Sequence, residues 1–257
     1  MIFSKMVHKK DKELSNHSYL YDIAQLMLSE PPSRPASLHD ALKKPGVTVI
    51  GAVQHAYPFS DEIASSDEID FLVKDYDCHV DAISVLTEEN YFKGDISDIK
   101  KIHEMTELPL IQNDIVLSPL HIFQAKTLGA SGVVLIASIL CEEELKEYTR
   151  LAKGLNMDAI VSVEKKEDIH QALRCGARIL AISNRTPVKP KSKFNPEKTK
   201  YLSSFIPPDV LRVSIGGIRS IEEYRMLKDF KLDGIMIDQC MMRTSGITDA
   251  LREMKLG

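Results

Sequence analysis

The side chains of this chain that could do chemistry stand at or just beyond the ends of short apolar runs. Gln54, His55 and Tyr57 follow the run Val47–Val53, Glu88 follows Ala82–Leu86, and Asp114 follows Leu110–Gln112. Glu164 follows Ala159–Val163, Arg185 follows Ile179–Ile182, Gly216 and Gly217 follow Leu211–Ser214, and Asp238 follows Ile235–Ile237. Asp114 could act as a general acid or base, or pair with a polar neighbour. Arg185 offers a bidentate fork suited to a carboxylate or phosphate, or ties two loops together. Gly216 and Gly217 could turn backbone N–H groups toward an anion, or make a tight turn. His55 and Tyr57 carry groups capable of proton transfer, or fill space. Lys189, Lys191 and Lys193, interleaved with Pro187, Pro190 and Pro196, form either a phosphate-seeking lid or a solvated loop. His79, His103, His121 and His170 fall on helices or their borders, where the surface is expected. Cys78, Cys141, Cys175 and Cys240 are scattered without metal-ligand spacing, so neither a metal nor a cofactor is expected.

With Val133–Ile136, the apolar runs number eight and recur roughly every 20 to 35 residues, the repeat of a strand–helix unit. Val133 to Ile136 and Ile235 to Ile237 are apolar at successive positions, the composition of parallel strands buried on both faces. Helix punctuation lies between them. Ser118-Pro119 reads as a cap and first turn, Leu128-Gly129 as the end of that helix. Glu142 to Glu144 load the first turn of the next, whose apolar face is Leu145, Tyr148, Leu151 and Ala152. Ser220 to Glu223 reads as a capping box. No Gly-rich dinucleotide turn follows the first run, so a closed (β/α)8 TIM barrel of the α/β class is predicted rather than a doubly wound sheet. In such barrels chemistry sits at the strand C-termini. The expected organisation is a single domain over 1–257, with 1–45 an N-terminal extension and 46–257 the barrel. Within the extension the start reads as polar and irregular, and a helix is predicted over Tyr19–Ser29 before the Pro31-Pro32 break.

At 257 residues, 44% hydrophobic and 27% charged, the chain reads as a cytoplasmic globular protein with a sizeable core. A net charge of −4 argues against a nucleic-acid partner. Neither a signal peptide nor a membrane-spanning run is expected.

Several segments carry a resemblance. Ala82 to Gly94, with Ser84-Val85-Leu86-Thr87 and Tyr91-Phe92-Lys93-Gly94, closely resembles the second strand and loop of the indole-3-glycerol-phosphate synthase family. Ser37 to Ile50, Gly129 to Ile136, Asn184-Arg185, Gly216-Gly217-Ile218 and Met241-Met242-Arg243 are similar to other segments of that family in the same order. The resemblance runs from about Leu26 to Leu251. It implies a lyase of tryptophan synthesis that closes the indole ring of 1-(2-carboxyphenylamino)-1-deoxyribulose 5-phosphate, with loss of carbon dioxide and water. Such chemistry needs a general acid, a base, cations for a carboxylate and a donor-rich cup for the phosphate.

At the positions that the resemblance assigns to those tasks, this chain differs. The first-strand glutamate and lysine are Ala52 and Gln54, and the phosphate-contacting serine is Tyr57. The third-strand lysine is Asn113, followed by a retained Asp114 and by Ile115 in place of the aromatic residue. The fifth-strand glutamate is Ser162, with Glu164 displaced outward. The sixth-strand asparagine is Ser183, before Asn184 and Arg185. Ile215 and Gly216 replace the seventh-strand glutamate and serine, Gly217 keeps the glycine, and Asp238 and Gln239 stand in the eighth-strand turn. Phe92 and Val134 match the family's apolar substrate walls. The resemblance therefore implies an inactive or altered relative, a pseudoenzyme or binding subunit. The alternative is a working synthase that uses Asp114, Glu88 and Glu164. The mouth is a candidate site for a small anionic molecule, a protein partner stays open, and Asp238 and Tyr57 are expected to oppose a phosphate.

Overall fold

The computed structural model describes residues 2–15, 37–57, 65–184, 195–227, 230–243, 249 and 251–252. The helix predicted over Tyr19–Ser29 lies outside them, as do Arg185, Pro187, Lys189, Pro190, Lys191 and Lys193. Eight parallel strands close into a barrel in chain order, with the eighth paired to the first. They are β1 (Thr48–Val53), β2 (Ala82–Leu86), β3 (Leu110–Asn113), β4 (Gly132–Ile136), β5 (Asp158–Val163), β6 (Ile179–Ser183), β7 (Leu211–Ile218) and β8 (Gly234–Ile237). Each contains one of the apolar runs, apart from Val47 just before β1.

Strand alternation sorts the core into two layers. In β1, Val49 and Val53 face the surrounding helices, while Ile50 and Ala52 face the barrel axis. Ile111, Val134, Ala181 and Met236 join them, so the interior is packed rather than open. The outer layer meets helix α3 (Ser66–His79) at a close approach. A Cβ on Gly51 would lie 2.6–2.8 Å from the ring of Tyr76, a fully buried residue whose hydroxyl donates to the Ala52 carbonyl at 2.8 Å. Only glycine leaves room for that ring.

The barrel bottom is closed by α2 (Leu38–Leu42), whose Leu38 and Leu42 pack on the interior cluster. Asp158 at the start of β5 anchors this helix, accepting from the Ser37 hydroxyl at 3.0 Å and the His39 N–H at 3.1 Å. The predicted Ser118 cap forms. The Ser118 hydroxyl accepts from Leu120 N–H ahead of α5 (Pro119–Thr127), and Gly129 follows that helix at φ 103°. Leu145, Tyr148 and Ala152 are buried on α6 (Glu142–Gly154). No helix among the described residues is long and apolar enough to cross a membrane.

Two sequence expectations are corrected. The polar start is not irregular: it forms α1 (Ile2–Leu14), with Met6 and Lys10 buried one turn apart. Its docking supplies order that the local pattern does not advertise. Gly216 and Gly217 do not make a turn after the seventh strand. They lie within β7, where the register against β8 shifts between Ser214 and Ile218 and Gly216 takes φ 98°.

Candidate functional site

The C-terminal ends of the strands surround a cavity of about 210 Å³. Ala52, Val134 and Met236 form its floor, and Leu86, Phe92, Ile136 and Ile215 its apolar walls. Polar groups come from Gln54, Asn113, Ser162 and Ser183, and carboxylates from Glu88, Asp114, Glu164 and Asp238. Arg219 is the only cation in the described lining, and Met6 reaches in from α1. The residues thus assemble as the order of strand ends requires.

Beside β1 and β8 three side chains lock together. The Tyr57 hydroxyl donates to Asp238 Oδ1, and the Cys240 N–H donates to the same oxygen at 3.0 Å. Arg219 Nε donates to Asp238 Oδ2 at 3.3 Å, and its guanidinium lies 5.2 Å from the centre of the Tyr57 ring. Arg219 is held at the start of α9 (Ile221–Arg225): its N–H donates to Glu223 at 2.9 Å, while Ser220 caps Glu223 N–H. Burial and then the Asp238 charge hold the Tyr57 hydroxyl well above its ordinary range. The same two causes push the Cys240 thiol up to about 12. Both groups are neutral near pH 7 and unsuited to act as a base or nucleophile.

A second knot lies across the mouth, beside β3. Lys10 Nζ of α1 reaches Asp114 Oδ2 at 3.3 Å and Glu13 at 3.1 Å. Thr87 Oγ1 donates to the same Asp114 oxygen at 2.8 Å, and Ile115 N–H donates to the other at 2.7 Å. Next to this pair stands His121, which accepts from Leu117 N–H at 3.3 Å. Contrary to the surface expectation His121 is buried, because its helix turns that face toward the barrel top. Burial first, and the Lys10 charge second, depress its pKa to about 4 against a small opposing effect of Asp114.

The remaining candidates divide. Glu88 is taken up by the loop after β2, accepting from the N–H groups of Asn90, Tyr91 and Phe92 at 3.1, 2.7 and 3.2 Å. His55 leaves the cavity and meets Asp98 at 2.7 Å. Asn184 ties β6 to β7 by donating to Ser214 at 2.6 Å, and Gln239 accepts from Gln54 N–H at 3.0 Å. Neither lines the cavity, whereas Ser183 does. Gly216 reaches the cavity through the β7 irregularity, and Asn113 Nδ2 leans on Ser84 at 3.4 Å. The amide nitrogen of Gln54 is buried without an acceptor. No group of three or more metal-ligating side chains occurs among the described residues.

The family model for indole-3-glycerol phosphate synthase matches residues 3–254. The chain belongs to the indole-3-glycerol phosphate synthase family. The indole-3-glycerol phosphate synthase of Leuconostoc mesenteroides subsp. mesenteroides is 32% identical over 239 residues, covering 92% of this chain and 90% of that protein. That of Acetivibrio thermocellus is 33% identical over 224 residues, covering 86% and 85%. Two solved structures share the fold alone. One is described as "Native KDPGal structure", with TM-score 0.57, 17% identity and coverage of 82% of this chain and 96% of that one. The other is thiamine phosphate pyrophosphorylase from Pyrococcus furiosus, with TM-score 0.56, 15% identity and coverage of 81% and 93%.

The cavity brings together many of the positions that the resemblance singles out in this synthase family. Ala52, Gln54, Asn113, Ser162 and Ile215 all line it. Sequence reading missed Met6, Lys10 and Arg219. Met6 and Lys10 are four residues apart, which puts them on one helical face. Arg219 sits one residue before the Ser220 cap and one after β7, a place from which a long side chain reaches the barrel mouth.

Proposed function

We propose that this chain is a member of the tryptophan-synthesis lineage that no longer closes the indole ring and serves in the cytoplasm as a binding protein. The observation that carries the reading is the lining itself. Ala52, Gln54, Asn113 and Ser162 stand in the cavity where a glutamate, two lysines and a second glutamate are implied, and none of the four can ionise. A positioned acid or base is worth about 10²- to 10⁴-fold in rate, so losing both leaves little above background. The Tyr57–Asp238–Arg219 cluster supports the same reading. Its donors already hold a carboxylate of the protein, at the place where the resemblance implies a phosphate.

A working synthase that relies on Asp114, Glu88 and Glu164 has less support. Asp114 is neutralised by Lys10, and Glu88 is held by three backbone N–H groups. The deciding experiment is indole-product fluorescence with 1-(2-carboxyphenylamino)-1-deoxyribulose 5-phosphate at high protein concentration. No detectable turnover is expected. Turnover near ~1 s⁻¹, within the ordinary enzyme range, would overturn the proposal.

A further inference from the structure

The charges of the mouth are unevenly matched. Of its four carboxylates, Asp238 is paired with Arg219, Asp114 with Lys10, and Glu88 is bound by backbone N–H groups. Glu164, at the end of β5, is exposed, lines the cavity and forms no ion pair among the described residues. No cation in the described lining remains to meet an anionic ligand, since Arg219 is engaged. In the closed order of strands β5 stands opposite β1. There Gln54, 6% exposed, lines the same cavity and has an amide nitrogen that meets no acceptor. A buried donor without an acceptor costs free energy unless a ligand or water satisfies it. Besides the polar Asn113, Ser162 and Ser183, the same lining carries the apolar walls Val134, Phe92, Ile136 and Ile215.

From this arrangement we infer that the mouth binds a small organic cation: a flat apolar body of one or two rings with a protonated amine at Glu164 and a hydrogen-bond acceptor at Gln54. The inference rests on the reading that the phosphate cup is closed, and it reverses the charge of ligand the family resemblance implies. One carboxylate without an ion pair among the described residues, at the rim of a low-dielectric cavity whose described cation is already engaged, favours a cation and disfavours an anion of the same shape. The apolar walls bury the ring, and the Gln54 amide fixes which end points inward.

The chain contains no tryptophan, so an indole probe can be read by its own fluorescence. Two probes share ring and hydroxyl and differ in charge: 5-hydroxytryptamine and 5-hydroxyindole-3-acetate. The amine is expected to bind at least tenfold more tightly than the acid. Glu164→Gln, at an exposed position, should cut that preference at least threefold by weakening the amine alone. Gln54→Met should weaken both probes by a similar factor, because the donor it removes meets the shared hydroxyl. Equal affinities, tighter binding of the acid, or an unchanged preference in Glu164→Gln would overturn the inference. Inorganic phosphate, titrated separately, tests the closed cup. Phosphate binding would sink that reading, whereas phosphate exclusion without amine preference would sink the inference alone.

Discussion

Removing Lys10 probes the contact that seats α1 on the barrel. The Lys10 and Asp114 side chains are 6% and 7% exposed, so Lys10→Met strands a buried carboxylate with only Thr87 and the Ile115 N–H as donors. Breaking such a pair costs about 3–5 kcal/mol when the survivor stays buried. Undocking of α1 would let water reach Asp114 and cap the loss, so about 3 kcal/mol is expected. Asp114→Asn should cost less, about 1–2 kcal/mol, because Lys10 keeps Glu13 as a partner at 3.1 Å. The double variant should be more stable than additivity predicts by about 2 kcal/mol. Urea unfolding followed by two optical probes gives all three values, provided the two transitions coincide. The Lys10 charge also depresses His121, so its imidazole should titrate above about 4 in Lys10→Met, as read by NMR. Additive single costs below about 0.5 kcal/mol, the range of surface pairs, would refute the buried latch.

Three further outcomes are expected. His121 has a folded pKa depressed from 6.5 to about 4, so the folded form binds fewer protons than the unfolded chain in that interval. Its contribution is present above pH 6.5 and lost as pH falls toward 4, about 1–3 kcal/mol in all; His121→Gln should flatten that part of the stability profile. Gly51→Ala should destabilise by about 1–3 kcal/mol through overpacking against Tyr76, measured by the same unfolding experiment, and a neutral result would contradict the close approach. Asp238→Gly with Tyr57→Ser should open the cup, free Arg219 and improve inorganic phosphate binding by about a kilocalorie or more in calorimetry. Equal affinity of both proteins would contradict it.

The barrel was legible because each strand is buried on both faces, and that requirement writes a continuous apolar run at each of eight places. The position of the cavity followed, since strand C-termini are fixed once strands are found. The local chemistry was harder. Asp238 reads in sequence as a charge that would repel phosphate. In the structure it is a charge already neutralised, because Arg219, 19 residues earlier, reaches it from the neighbouring strand end. Asp114 offered a catalytic and a pairing role, and its surroundings support pairing through a lysine 104 residues away. His121 and α1 were misplaced for the same reason. Their burial comes from docking between distant segments, and no local period reports it.

The 104-residue separation of Lys10 from Asp114 also orders events during synthesis. The ribosome delivers α1 before β3 and α5, yet its seat exists only after those two have been made and folded. Until then Met6 and Lys10 wait in solvent as a short helix of marginal stability in isolation. The mouth is therefore one of the last parts of the molecule to be completed. Any bulky group joined to the chain just ahead of Ile2 would hang from the element whose Met6 lines the cavity.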